Sequence, residues 1–345
     1  MNQQFDFKPG FGSDNHSGVH PLILKSLADC NRGHAHSYGM DEVSKMALQQ
    51  FYRHFGENID VHYVFNGTAA NVLCLSTLLK PFESVICSDQ AHLDQDECGA
   101  PEHHLGCKII PVPTINGKVT PETVAPYIRR RGDQHSTQLR VISIAQPTEV
   151  GTVYSLTELE ALTQFARDNN LLVHMDGARL ANAAVFLKCS FKELTQGVQA
   201  LSFGGTKNGL FGAEAVILFD GYRSKDFKFI RKQAMQLPSK MRFLSSQFLT
   251  YLSEDLWRSI ALHSLQTAKY FHEKIADIKE IRLAYPVQSN ALFPFIPQEW
   301  VKPLKEVAYF YVWDEKKWMM RWMTSFDTET HQIDSFVERI NNLRK

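Results

Sequence analysis

The chain has 345 residues, 37 basic and 37 acidic side chains, and 44% hydrophobic residues, which is enough for one or two domains with a full core. Balanced charge leaves no basic field for nucleic acid or a membrane surface, and no apolar run approaches the roughly 20 residues that span a bilayer. The opening Met1-Asn2-Gln3-Gln4-Phe5-Asp6 lacks a charged-then-apolar leader, and the 6 cysteines include no Cys-x-x-Cys pair, which fits reduced thiols in a cytoplasmic protein and supplies no disulfide frame or metal set.

Residues 1–12 read as an arm carrying Pro9, Gly10 and Gly12. Ser13-Asp14-Asn15-His16-Ser17-Gly18 is a polar turn, and 21–29 is a short helix with proline near its start. His34 and His36, two apart, do not share a helix face, so a loop is favoured there over a metal site. The spacing of Val43, Met46, Ala47, Phe51 and Phe55 predicts a helix over 41–55. Residues 61–65 read as a strand and 72–79 as a helix. Between them, the Gly67-Thr68 turn at a helix N-terminus makes an anion site of free N–H groups, dipole and hydroxyl; the alternative is that Thr68 is a plain helix N-cap. Neither the P-loop nor the dinucleotide glycine fingerprint is present.

Residues 84–87 form a strand followed by His92, placed either to lay a ring over a cofactor or as a polar loop histidine. Strands are predicted over 108–112 and 139–145, with a helix opened by Thr120-Pro121-Glu122 and closed near Arg129-Arg130-Arg131. Ser155-Leu156-Thr157-Glu158 is a capping box. The helix it opens leads to the apolar strand that ends His174-Met175-Asp176, with Arg179 three residues on. The run 198–203 then ends in Gly204-Gly205-Thr206-Lys207-Asn208-Gly209, one lysine among glycines. A lysine at a buried strand end is desolvated into a nucleophilic amine of the kind that forms Schiff bases; the alternative is an exposed loop lysine. Asp176, about thirty residues earlier, favours the first reading, because pyridoxal phosphate needs an acid group on its ring nitrogen.

Beyond the lysine, 213–219 is a strand, 227 begins a long helical region, and 243–252 and 255–276 are helices. Segments 281–285, 291–296, 308–312 and 318–324 predict a small sheet, closed by a helix over 333–343. Strands alternating with helices argue for a mostly parallel sheet, with ligands gathered at the strands' carboxyl ends. Thr68, His92, Asp176 and Lys207 all lie just past such ends. A domain boundary falls near 240, which divides the chain into the arm, a large domain over 13–240 and a small one over 241–345.

Several pieces, in order, carry a resemblance: Ser13-Asp14-Asn15, Tyr38-Gly39, Asn66-Gly67-Thr68-Ala69-Ala70-Asn71, Ala91-His92 with Glu97-Cys98-Gly99-Ala100, His174-Met175-Asp176-Gly177-Ala178-Arg179, the lysine loop and Ser239-Lys240-Met241-Arg242. Together, over residues 13 to about 327, the chain resembles the threonine aldolase (β-eliminating lyase-like) family, nearest in style to low-specificity L-threonine and L-phenylserine aldolases. The resemblance implies an aspartate-aminotransferase-like (fold type I) α/β large domain with a mostly parallel seven-stranded sheet and a smaller C-terminal α+β domain. It implies pyridoxal phosphate as cofactor and cleavage of small β-hydroxy-α-amino acids to glycine and an aldehyde. Lys207 would carry the cofactor as a Schiff base, Asp176 would pair with the ring nitrogen, and His92 would stack on the ring and serve as a base. Gly67 and Thr68 would bind the phosphate, with Arg242 reaching it from the neighbouring subunit; Thr206 and Arg179 would also contact the cofactor, and Ser13, Arg179 and Arg321 would hold the substrate carboxylate. Tyr38 would close the site from the partner in a homodimer with shared sites, assembled further as a homotetramer. One departure stands out: where family members carry a histidine after the strand preceding the Asp strand, this chain reads Gln146-Pro147-Thr148-Glu149, which makes Glu149 a candidate base. On the same motifs, the alternative is another fold type I enzyme, a β-eliminating lyase or an aminotransferase.

Overall fold

The computed structural model describes residues 8–219 and 224–344; of the arm read over 1–12, residues 1–7 lie outside the described residues. Seven strands form the first sheet: β1 (Asp60–Val64), β2 (Glu83–Ser88), β3 (Lys108–Val112), β4 (Gln138–Ala145), β5 (Leu172–Gly177), β6 (Ala200–Gly204) and β7 (Glu214–Leu218). Their order is β1-β7-β6-β5-β4-β2-β3. Strand β7 runs antiparallel to both its neighbours, and the other pairings are parallel. Every residue of β6 and β7 is buried. This accounts for their nearly continuous apolar character, since a central strand covered on both faces has no polar side to show.

A second sheet is built from β8 (Arg282–Leu283), β9 (Ala291–Leu292), β10 (Pro294–Phe295), β11 (Tyr311–Asp314) and β12 (Met319–Met323), all antiparallel. The helix Thr330–Leu343 packs on it through Ile333, Phe336, Val337 and Ile340. Phe11 is fully buried in this second core, and its backbone bonds Tyr309 and Met323, so residues 10–12 are stitched to the second sheet. The chain passes between cores inside the helix Leu256–Ile275: Ile260 and Ala261 pack in the first, Ala268 and Phe271 in the second.

Local signals account for most boundaries. The capping box at Ser155 forms as read, with Ser155 Oγ accepting from Glu158 N and Glu158 Oε2 accepting from Ser155 N. Three readings differ. The helix after β1 begins at Gly67, and its N-cap is Asn66, which accepts from Ala69 N at 2.8 Å; Thr68 is therefore inside the first turn and no cap. The helix at Thr120 stops at Val124 and gives way to a short 3-10 turn, because Pro126 has no N–H for a continuing ladder. The helical region from 227 ends at Gln233, and Pro238 lies in the break before the next helix, Arg242–Leu252.

Candidate active site

The carboxyl ends of β1, β2, β4, β5 and β6 open on one edge of the first sheet, where a parallel sheet gathers ligands. Register sets the spacing across that edge: Asp176 on β5 lies opposite Ala145 of β4 and Ser202 of β6. The lysine turn follows β6 and depends on two glycines. A Cβ on Gly204 would collide with the backbone of Ala178, and one on Gly205 with the carbonyl of Ala213. The turn is held from below by Glu214, the first residue of β7, whose carboxylate accepts from Gly205 N at 3.0 Å and Thr206 N at 3.3 Å. Burial pushes the Glu214 carboxyl up to about 6.

Two chambers of about 410 and 280 Å³ meet at Lys207, Asp176, Ala178, Asn15 and His92. The smaller runs to the N-terminus of the helix Gly67–Leu78, past Thr68, Thr206 and Glu214. The larger runs toward the second sheet, past Ser13, Glu149, Arg179, Trp313 and Arg321. The structure thus brings together Ser13, Gly67, Thr68, His92, Glu149, Asp176, Arg179, Thr206, Lys207 and Arg321 around one cleft.

At the join, burial and then the Arg179 guanidinium hold the Lys207 ammonium below its ordinary value. Burial pushes Asp176 up, but His92, Lys207 and the N–H groups of Asn71 and Ala178 outweigh it and hold the carboxyl below its usual range. Asp176 Oδ1 accepts from Ala178 N at 2.9 Å and Oδ2 from Asn71 Nδ2 at 2.9 Å. His92 is pushed up, chiefly by its hydrogen bond from Nδ1 to Glu97 Oε1 at 2.9 Å. Glu149 Oε1 accepts from His92 N at 2.8 Å, while its Oε2 is sealed from solvent with no partner. Burial raises the Glu149 carboxyl to about 7, with Asp176 adding to the rise.

At the far end of the larger chamber, Arg179 is already engaged. Its Nε and Nη2 donate to Asp14 Oδ2 and Oδ1 at 2.5 and 2.8 Å, a bidentate pair with a carboxylate that is 1% exposed. Asn290 Nδ2 donates to the same Asp14 at 3.1 Å and is itself oriented by Asn182. Arg179 therefore has Nη1 left to offer. Arg321 is less committed: Nη2 donates to Gly12 O at 3.0 Å, Nε has no partner, and the guanidinium lies 5.0 Å from the ring centres of both Tyr311 and Trp313.

Tyr38 and Arg242 do not reach this cleft within the chain. Arg242 donates to the carbonyls of Arg32 and Gly33, and Tyr38 N donates to Ser239 O, which ties those two segments together at the surface. Asp14, Asn71, Glu97, Glu214 and Asn290 support the cleft without having been assigned a role from the sequence. Glu214 did leave a signal, an acid opening an otherwise apolar buried strand, and Asp14, Asn71 and Glu97 lay inside the quoted motifs.

These residues fit pyridoxal phosphate: an amine and an ionised carboxylate at the join, a helix N-terminus at one end, and beside it the buried Thr206 hydroxyl, whose nearest acceptor is the Glu214 carboxylate. Residues 10–296 match the family model described as β-eliminating lyase. The chain belongs to the β-eliminating lyase family. It is 39% identical, over 97% of its length and 98% of the relative's, to the low specificity L-threonine aldolase of Pseudomonas aeruginosa. It superposes on Leishmania major threonine aldolase with a TM-score of 0.93 at 28% identity, covering 97% of this chain and 99% of that one. A tetra mutant of Thermus thermophilus aspartate aminotransferase matches 97% of this member of the family and 95% of its own chain at a TM-score of 0.71 and 14% identity, a likeness of fold alone. The fold is the aspartate-aminotransferase-like (fold type I) one expected from the lysine and aspartate motifs.

Proposed function

We propose that this chain is a pyridoxal-phosphate-dependent aldolase that cleaves L-β-hydroxy-α-amino acids (L-threonine, L-allo-threonine and L-phenylserine) to glycine and an aldehyde. The observation that carries this reading is the meeting of Lys207, Asp176 and His92 at the join of two chambers, in a chain similar over nearly its whole length to a low specificity L-threonine aldolase. Bound at that join, pyridoxal phosphate supplies a conjugated electron sink beside the substrate's Cα.

The protein's own groups do the rest. Lys207, held below its ordinary value, is a neutral nucleophile more readily than a surface lysine. Asp176, held ionised, keeps a proton on the ring nitrogen and stabilises the charge that builds up as the Cα–Cβ bond breaks. Gly67, Thr68 and Thr206 hold the phosphate at the helix N-terminus. Arg321, Ser13 and the free Nη1 of Arg179 hold the substrate carboxylate, with Arg321 as the main anchor because Asp14 occupies the other edge of Arg179. Among the groups lining that same chamber, His92 and Glu149 are placed to take the β-hydroxyl proton, directly or through a water.

The shared-site homodimer belongs to the same reading. Phe65 and Gly212 line the smaller chamber, and Phe65 is 43% and Phe211, next to Gly212 in the chain, 67% exposed, apolar surface of the kind a second copy covers. Such a copy would bring Tyr38 and Arg242 to the cleft, and two such dimers would make the homotetramer. The division into a large domain over 13–240 and a small one over 241–345 is supported by each sheet keeping to one side of residue 240, while the packing of Leu244, Phe248, Leu256 and Ile260 in the first core moves the change of core to between Ala261 and Ala268.

The test is aldehyde release by the cofactor-loaded protein from the three substrates, with Lys207→Ala as control. Release that the variant abolishes is expected; pyruvate or a keto acid in place of aldehyde would overturn the aldolase reading in favour of elimination or transamination.

A further inference from the structure

Glu97 is 4% exposed between two exposed neighbours, Asp96 and Cys98. It lies five residues after His92, and Cys98 (φ 52) and Gly99 (φ 70) reverse the chain immediately behind it. Its side chain makes two hydrogen bonds, both to Oε1: from Asn71 Nδ2 at 2.8 Å and with His92 Nδ1 at 2.9 Å. Among the described residues no lysine or arginine pairs with it, and Oε2 has no partner. A buried carboxylate without a cationic partner is costly. A glutamine would accept the same two bonds through its single oxygen without carrying that charge into the core. What the carboxylate adds over an amide is therefore its charge, and the ionisable group in contact with it is His92.

Asn71 extends the contact. Its one Nδ2 donates both to Glu97 Oε1 at 2.8 Å and to Asp176 Oδ2 at 2.9 Å, so two acceptors fix which end of the amide faces the cleft. With Nδ1–H given to Glu97, the His92 ring presents a bare Nε2. We infer that Glu97 is the positioning residue of His92, and that Asn71 joins this pair to Asp176, so that the acid–base histidine and the ring-nitrogen carboxylate of the cleft form one hydrogen-bonded unit. This rests on the proposed function for what His92 does with its proton, but the pair itself stands on geometry. The charged groups around the ring all enter: Glu97 and Asp176 favour the imidazolium, burial and Lys207 oppose it, and Glu149 takes the backbone N–H.

The experiment is ¹⁵N NMR of the histidine rings in the full chain, with and without pyridoxal phosphate, His92 being assigned by its loss in His92→Gln. Expected is an Nδ1–H tautomer and a midpoint above the ordinary value of about 6.5. In Glu97→Gln the midpoint falls by about one pH unit or more. The same variant lowers kcat about tenfold or more with KM nearly unchanged, shifts the acid limb of the kcat profile downward, and is partly rescued by Glu97→Asp. An unchanged His92 midpoint in Glu97→Gln would overturn the proposal, and so would a parental kcat profile in a variant whose midpoint has moved. If Glu97→Gln does not fold, the parent decides: an Nε2–H tautomer or a midpoint at or below the ordinary value sinks it. Failure of the parent to release aldehyde would count against the proposed function, while the NMR result on the pair stands by itself.

Discussion

At the scale of single residues, the cleft separates carboxylates by environment. Asp176 is surrounded by donors and cations and stays ionised, whereas Glu149 has one backbone donor and an unpartnered oxygen and rises to about 7. Asp176→Asn should lower kcat by at least about 100-fold, near 3 kcal/mol of barrier, with the protein still folded; near-parental turnover would end its role as the ring-nitrogen partner. Glu149 has a stability signature. The folded chain keeps its proton from about 4.5 to about 7, so the ionised residue costs stability increasingly as pH rises through that window. Glu149→Gln is therefore expected to match the parent below pH 4.5 and to exceed it above pH 7, by up to about 3 kcal/mol in chemical denaturation. A difference independent of pH would contradict the buried-acid reading. Arg321→Lys, which loses the planar fork between two rings, should raise KM about tenfold with a smaller change in kcat.

At the scale of elements, the lysine turn is shaped by what has to pass close to it. Gly204 and Gly205 let β6, β7 and the 178 backbone approach, and Glu214 pins the two N–H groups that follow. Gly205→Ala puts a methyl against the Ala213 carbonyl, so about 1–3 kcal/mol of stability should be lost, together with cofactor loading measured by absorbance. The strands and capped helices of this half were legible because they obey local rules: the Ser155 capping box and the apolar runs of β5, β6 and β7 are read directly from residue types. Thr68 was less legible. Asn66 and Thr68 are both good caps, and only the backbone reveals which one turns the chain into the helix. The breaks at Pro126 and Pro238 lie at prolines in the sequence, and the missing N–H of Pro126 is the local reason the helix at Thr120 gives way to a 3-10 turn.

At the scale of the whole molecule, Asp14 joins the parts. It pairs with Arg179 from the first sheet's edge and with Asn290 from the loop before β9; Asp14 and Asn290 are out of solvent, and Arg179 is partly open to the cleft. Asp14→Ala would leave the partly buried Arg179 without its carboxylate, and a loss of about 2–3 kcal/mol is expected in thermal or chemical unfolding, since cleft water takes up part of the lost pairing. The shared-site dimer has its own test. Lys207→Ala and Arg242→Ala chains, each inactive alone, should regain about a quarter of parental activity when coexpressed, because each hybrid carries one intact site. Failure to regain any activity would place Arg242 outside the neighbour's cleft.

Sequence alone determined the residue types from which the chemistry was read. A lysine among glycines after a buried strand, and an aspartate ending an earlier one, pointed to a desolvated amine and a carboxylate for a cofactor ring, because residue type and a strand end are legible in one dimension. It also specified the alternation of strands and helices that brings Thr68, His92, Asp176 and Lys207 to one edge. Tertiary structure decided which polar groups support them. Glu97, Asn71, Asp14 and Asn290 acquire their roles from partners 5, 26, 105, 165 and 276 positions away in the chain. The physical reason is that a buried charge is tolerated or forbidden by its neighbours in space, and a one-dimensional reading does not hold those neighbours.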